Sequence, residues 1–421
     1  MVLASALLAI WAVGYTWGTW RYFTSIAPGG NDFLARYTAF GAYLHEGINP
    51  YSDAATAITN QAVYGRPAQP GEDENRLTYP FYSILLYGPF VAIQDYSVSR
   101  AIHMTLLQVA LFLGVWMTLE VLRWRPRPWL LVGLMAWSLL NYSEARDVIL
   151  GQFALFGFLS LAGALYFLAR GRDAAAGALL VLSTIKPTLV FLVIPFLLLW
   201  AVSRRRWRFI GGFFAVLAAL TLGGLLALPS WIGDLLKNIL AYPTYTVGQN
   251  PVWLLTHVAV PRLGQAGEWV ISGALGALML WSWWLAVRPG EAGDGVFHWT
   301  LGMTLVVSNL IVSRSATTNY VLLLVPTLWL FAGLDRHGRP GRLAIAAILV
   351  VSFVGLWWLQ FATVVVNQEQ PVMFLPWPLA LGAVLLLGAP WLWRETRRAS
   401  WWPLAAAHPG LAPAPEGSRA R

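Results

Sequence analysis

Residues 151–208 read GQFALFGFLSLAGALYFLARGRDAAAGALLVLSTIKPTLVFLVIPFLLLWAVSRRRWR. Phe153–Ala169 is one apolar run, closed by Arg170 and Arg172. Ala174–Val202 is a second, closed by Arg204, Arg205, Arg206 and Arg208. A helix needs roughly 20 apolar residues to cross a ~30 Å hydrocarbon core. The second run holds 29 residues and has arginines beyond both ends, so both ends ask for the same side of a membrane. It is therefore read as a hairpin of two short helices turning at Lys186-Pro187, where the proline breaks the helix and the lysine sets a charge at membrane depth.

The rest of the chain follows the same pattern. Of its 421 residues 58% are hydrophobic and 11% charged, against roughly a quarter charged in soluble domains. The composition is that of an all-α polytopic membrane protein. Further apolar runs lie at Val2–Trp20, Ala101–Leu122, Trp129–Tyr142, Phe209–Leu228, Glu268–Val287, Val296–Val312, Tyr320–Gly333, Leu343–Val366 and Val372–Trp393. Phe81–Ile93 is too short to span and is read as a helix at the outer interface. With the hairpin this makes about twelve membrane segments in one domain, residues 1–398, with both termini cytoplasmic. Residues 399–421, rich in proline, read as a disordered cytoplasmic tail. Val2–Trp20 lacks a charged start and a small-residue cleavage site, so it is expected to be an uncleaved anchor.

The net charge of +9 is carried almost wholly by arginine, since Lys186 and Lys237 are the only lysines. The arginines cluster between apolar runs, which is a topology signal and not a nucleic-acid signature. With no cysteine, thiolate metal sites, disulfides and thiol nucleophiles are excluded. Under the positive-inside rule the long polar segment 23–80 faces outward, and most acidic residues share its side.

Within that segment Asn31-Asp32-Phe33 opens an amphipathic stretch that ends at Glu46, so the outer loop is partly helical. Asp32 stands one helical turn before Arg36, which presents a carboxylate and a guanidinium together at the membrane surface. Asp32 as a helix N-cap, with Arg36 as its surface partner, explains the pair equally simply. Lys186 calls for an anionic partner at depth, unless it snorkels to the interface. Arg314 heads an apolar helix and suits either a phosphate or an anchor. Arg146-Asp147 reads as a local ion pair or part of a ligand site. Gln249 and Asn250 carry amides suited to sugar hydroxyls or to a loop turn. Trp253, Tyr242 and Tyr245 suit stacking on sugar rings, while most aromatics belong to interfacial belts.

The N-terminal membrane helix and the long outer loop with Asp32 near its start, with the turn Gly47-Ile48-Asn49-Pro50-Tyr51, the segment Tyr79-Pro80-Phe81, the pair Gly151-Gln152 and Lys186-Pro187 in a short hairpin, resemble the polyprenyl-phosphate-sugar-dependent glycosyltransferases of the GT-C class, and within it the GT87 family of α-mannosyltransferases. The similarity runs loosely from Asp32 to about Pro326. The resemblance implies that Asp32 is the general base. It also implies a membrane cavity holding a polyprenyl phosphate whose sugar points outward; the sugar expected is mannose, and the membrane expected is a bacterial plasma membrane. A histidine-rich stretch expected before Tyr320 is replaced by Thr317-Thr318-Asn319.

The chemistry expected is hexose transfer to an acceptor hydroxyl of a lipid or glycan. Asp32 takes the proton, and Lys186, Arg314 and Arg36 neutralise the departing phosphate. Glu46, Asp53, Tyr79, Gln152, Gln249, Asn250 and Trp253 are the candidates for contacting sugar or acceptor. No cofactor is required, though Asp32 and Asp53 leave room for a divalent ion. The alternative is a transporter or flippase for a lipid-linked sugar, which would show broken helices in matched positions. The sequence has one broken hairpin.

Overall fold

A computed structural model describes residues 2–245, 250–288, 294–365 and 369–392, with residues 2–9 and Asp294 described by backbone alone. The tail 399–421 lies outside the described residues. Every regular element among those described is helical. In order these are α1 (Val2–Thr19), α2 (Asn31–Glu46), α3 (Asp53–Tyr64), α4 (Ile84–Val91), α5 (Tyr96–Val121), α6 (Pro128–Leu140), α7 (Tyr142–Leu150), α8 (Ala154–Ala169) and α9 (Asp173–Leu180). They continue as α10 (Val193–Ser203), α11 (Trp207–Ala227), α12 (Trp231–Tyr245), α13 (Pro251–Leu254), α14 (Gly264–Val287), α15 (Asp294–Ile311), α16 (Leu324–Asp335), α17 (Arg339–Thr363) and α18 (Pro376–Leu387).

One contiguous apolar core runs from Phe33 and Phe40 of α2 through Leu107, Phe158 and Phe196 to Leu385 of α18. Outside it, α11, α14 and α17 expose Leu222, Leu226, Trp269, Val270, Val351 and Phe361. A continuous apolar exterior of this kind would aggregate in water and is at home in lipid.

The twelve expected segments are not twelve full-length spans. Five helices are long and apolar enough to cross a membrane, Tyr96–Val121, Trp207–Ala227, Gly264–Val287, Thr317–Asp335 and Arg339–Thr363, and a sixth is counted if the bent pair α7–α8 is one span. Pro128–Leu140, Asp173–Ile185, Val193–Ser203, Gly295–Ile311 and Pro371–Leu387 are apolar but hold only 10–17 residues. The sequence runs were longer because they included residues that here form breaks and 3₁₀ turns. Lys186 separates the 3₁₀ turns Val181–Ile185 and Pro187–Leu189. The chain doubles back across this break, since Arg206, beyond α10, donates to Asp173 at the start of α9 at 2.6 Å.

Arg170 reaches Glu120 at 3.4 Å, and Trp124 donates to Asp335 at 2.9 Å, so the loops 122–127, 170–172 and 335–342 share one end of the bundle. The helices α2, α3 and α12 occupy the polar region that carries the site. There α3 is capped by Ser52 Oγ, which accepts from the Ala55 N–H at 3.2 Å. The helix α12 is pinned by Asn238, which donates to Leu77 O at 3.1 Å and Tyr51 O at 3.3 Å.

Candidate active site

The helix α2 begins after Gly30, which sits at the cap position with φ 73° and supplies no side-chain cap. Asp32 therefore does not cap its helix, and its carboxylate is available. Arg36, one turn on, donates from Nη1 to Asp32 Oδ1 at 3.1 Å and to its main-chain O at 2.9 Å. The other carboxylate oxygen of Asp32 accepts no hydrogen bond among the described residues. The Asp32 side chain keeps 27% of its exposure, so a substrate can reach it.

Arg36 lies over the Tyr79 ring, 4.5 Å from its centre, where guanidinium and ring quadrupole attract. Burial pushes the Tyr79 phenol up to about 12, so it stays protonated and donates to Gln152 Oε1 at 3.4 Å. Lys186 Nζ donates to the same oxygen at 2.8 Å. Asp32, Arg36, Tyr79, Gln152 and Lys186, spread over 155 residues of sequence, thus form one contact chain. Lys186 is also within electrostatic reach of Asp32, Asp147 and Arg36.

Three features hold this chain together. The α7–α8 elbow bends by 117° and places Gln152 at its inner corner. Gly151 at the elbow has φ +69°, and a Cβ there would come within 2.5 Å of Phe33 Cβ. Only glycine lets α2 approach so closely. Arg100, buried in α5, donates to Ala27 O at 2.7 Å and Ile149 O at 2.8 Å, clamping the segment before α2 to the end of α7. At the hairpin break, Tyr82 and Thr184 hydroxyls bond at 2.7 Å.

Two carboxylates lie beside the site: Asp147, which the sequence offered only with Arg146 as a local ion pair or part of a ligand site, and Asp73, which sequence reasoning missed. Asp147 is fully buried; Oδ2 accepts from the Leu155 N–H at 3.1 Å and Oδ1 has no partner among the described residues. Its neighbour Arg146 turns away from it to Glu369, at 3.5 Å, and to the Tyr142 hydroxyl, at 3.0 Å. Asp73 faces Arg36 and Asp32; burial holds its carboxyl above the ordinary range, against the pull of the Asn75 N–H and Arg36. Asp73 is an ordinary loop acid in sequence, with no spacing that marks it. Tyr242 joins the same neighbourhood, its phenol raised by burial and influenced by Asp73, Arg36 and Asp32.

Other candidates are placed elsewhere. Glu46 is exposed at the far end of α2, about 21 Å along the helix from Asp32 at 1.5 Å per residue. Asp53 is 80% exposed and pairs with Arg76 at 2.6 Å. Arg314 donates to Pro243 O at 2.7 Å, beside Tyr242. Asn250 Oδ1 accepts from the Trp253 N–H at 2.7 Å, capping α13, and Trp253 stacks on His257. Gln249 lies outside the described residues. Thr317, Thr318 and Asn319 are buried in a 3₁₀ turn, with Thr317 donating to Glu369 at 2.5 Å. Among the described residues no group of three or more His, Asp and Glu side chains is placed to hold a metal ion.

The family model of glycosyltransferase family 87 matches residues 77–313, more than half of the chain. That segment contains Tyr79, Gln152 and Lys186, while Asp32 and Arg36 precede it. No curated protein and no solved structure matches the chain. A helical bundle with an apolar exterior, matched by this family model over most of its core, belongs to glycosyltransferase family 87.

Proposed function

We propose that this glycosyltransferase moves a hexose, mannose by family resemblance, from polyprenyl phosphate to an acceptor hydroxyl by a single inverting displacement. The observation that carries the reading is the contact chain from Asp32 through Arg36, Tyr79 and Gln152 to Lys186. It links a half-buried carboxylate to a buried ammonium that lies within its electrostatic reach, the two groups the proposed reaction would use. The acceptor oxygen attacks the anomeric carbon and its proton passes to the free oxygen of Asp32. The bond from the anomeric carbon to the phosphate oxygen breaks, and polyprenyl phosphate leaves with the electron pair. Lys186 and Arg36 face the negative charge that develops on it. Arg314, bonded near Tyr242, would meet the same charge from the side of α12.

In this reading the site opens to the outer face, the arginine-rich end and both termini are cytoplasmic, and twelve segments enter the bilayer, several as short or broken helices. The cations perform the neutralisation, so no metal is assigned. Asp32→Asn is expected to lower transfer by about 10²–10⁴-fold, the range of general-base catalysis, while binding of polyprenyl-phosphate-mannose is retained. Glu46→Gln, far along α2, is expected to remain active. Radiolabelled transfer by reconstituted protein measures both, and near-normal turnover by Asp32→Asn would remove the base assignment.

A further inference from the structure

Apart from the contact chain at Asp32, the polar region contains a cavity of about 240 Å³ lined by Asn49, Tyr51, Ser52, Asp53, Asp234 and Lys237. We propose that it binds a neutral sugar ring of the acceptor, so that the acceptor is a glycan of at least two sugars, one presented to Asp32 and another held here. The proposal rests on the transferase reading above and adds the acceptor class to it.

The walls are fixed. Asn49 donates to Asp234 Oδ2 at 2.7 Å, as does Ser230 Oγ at 2.7 Å. Asn49 Oδ1 accepts from the Tyr51 N–H at 3.0 Å. Ser52 donates to Asn49 O at 2.7 Å. Asn238 holds α12 onto the same turn.

What remains open is specific in kind. Asp234 Oδ1 and Asp53 Oδ2 accept no hydrogen bond, and Lys237 has no hydrogen bond or ion pair, among the described residues. Acceptors and an ammonium donor therefore face one small space. A sugar hydroxyl both donates and accepts, so adjacent hydroxyls satisfy both kinds of group at once.

Two other ligand classes fit poorly. In the lining Asp53, already paired with Arg76, and Asp234 face one ammonium, which disfavours a phosphate. A divalent cation wants six or more oxygens without a neighbouring ammonium. The cavity equals about eight waters at ~30 Å³ each, which suits one ring.

The cavity connects to the reacting centre through side chains already placed. Tyr51, in its wall, donates its hydroxyl to Tyr79 O at 2.7 Å. Tyr79 carries Arg36 on its ring, and Arg36 pairs with Asp32. A further sugar of the same glycan, not the reacting one, is therefore the occupant.

The test uses full-length protein in lipid nanodiscs without donor. A panel of methyl hexosides is measured by saturation-transfer NMR against wild type, Lys237→Met, Asp234→Asn and Asp32→Asn. At least one hexoside is expected to bind wild type and Asp32→Asn. Its affinity should fall about tenfold or more in the other two, the loss of one charge-assisted hydrogen bond. Lys237 is exposed and unpaired, so its variant should fold even if Asp234→Asn does not.

No hexoside binding to wild type, unchanged affinity in Lys237→Met, or displacement of the sugar by inorganic phosphate would each overturn the proposal. Because no donor is present, the transferase reading is judged separately. Hexoside binding here without transfer from polyprenyl-phosphate-mannose would sink that reading, and transfer with unaltered Lys237→Met affinity would sink this one.

Discussion

Lys186 shows how far a single residue could be read before its surroundings were known. A lone lysine in an apolar run is costly at membrane depth, and that cost alone marked it. Its partner was not legible, because Gln152 lies 34 residues away and is neutral. Among the described residues no carboxylate comes within ion-pairing distance of Lys186, so its charge is met by one amide oxygen and by the longer-range attraction of Asp32 and Asp147. A charge-assisted hydrogen bond is worth about 1.5–3 kcal/mol. Lys186→Gln should therefore raise the dissociation constant for the polyprenyl-phosphate donor by roughly 10- to 150-fold. Arg314→Gln, whose parent donates to Pro243 O, should have a smaller effect. Equal donor affinity in Lys186→Gln and wild type would show that the ammonium serves only packing. Asp147 is the contrary case, since the adjacent Arg146 offered a false partner in sequence and pairs in space with Glu369.

At the scale of elements, the elbow between α7 and α8 does most to bring the site together. The sequence marked it only as Gly151-Gln152, and nothing local announces a bend of 117°. The reason lies in another element, because Phe33 of α2 occupies the space a side chain at 151 would need. Gly151→Ala would set a Cβ within 2.5 Å of Phe33 Cβ at a φ of +69°. Overpacking and positive-φ strain each cost about 1–3 kcal/mol. Relieving the clash would push α2, and Asp32 with it, away from Gln152 and Lys186. A displacement near 1 Å can cost about 10²-fold in rate. The expected outcome is a lower thermal midpoint together with a loss of transfer larger than the loss of donor affinity. Wild-type midpoint and rate would show that α2 does not need this approach.

For the whole molecule, helical class and membrane setting were legible because composition and run length respond directly to the solvent a chain must meet. The number of spans was not, because hydropathy counts apolar residues whereas a span is an unbroken helix, and the bend at Gly151 and the 3₁₀ turns Val181–Ile185 and Pro187–Leu189 break or shorten helices inside apolar sequence. Orientation is a separate matter, set by charge. Glu120 with Arg170, Trp124 with Asp335 and Asp173 with Arg206 join loops distant in sequence at one arginine-rich end. Those loops must share a side of the membrane whichever side it is. In the proposed orientation, taken from the positive-inside rule, it is cytoplasmic and the segment around Asp32 lies outside. The chain has no cysteine, so single introduced cysteines report without background. In sealed cells a membrane-impermeant maleimide should label Gln69→Cys, on the exposed loop after α3, and should reach Arg127→Cys and Arg172→Cys only after permeabilisation. Labelling of all three with the sides exchanged would invert the protein and put the carboxylate of Asp32 in the cytoplasm. Labelling of Arg127→Cys and Arg172→Cys from opposite sides would contradict the joined arginine end itself, and with it the packing of α5 on α8 that carries the elbow.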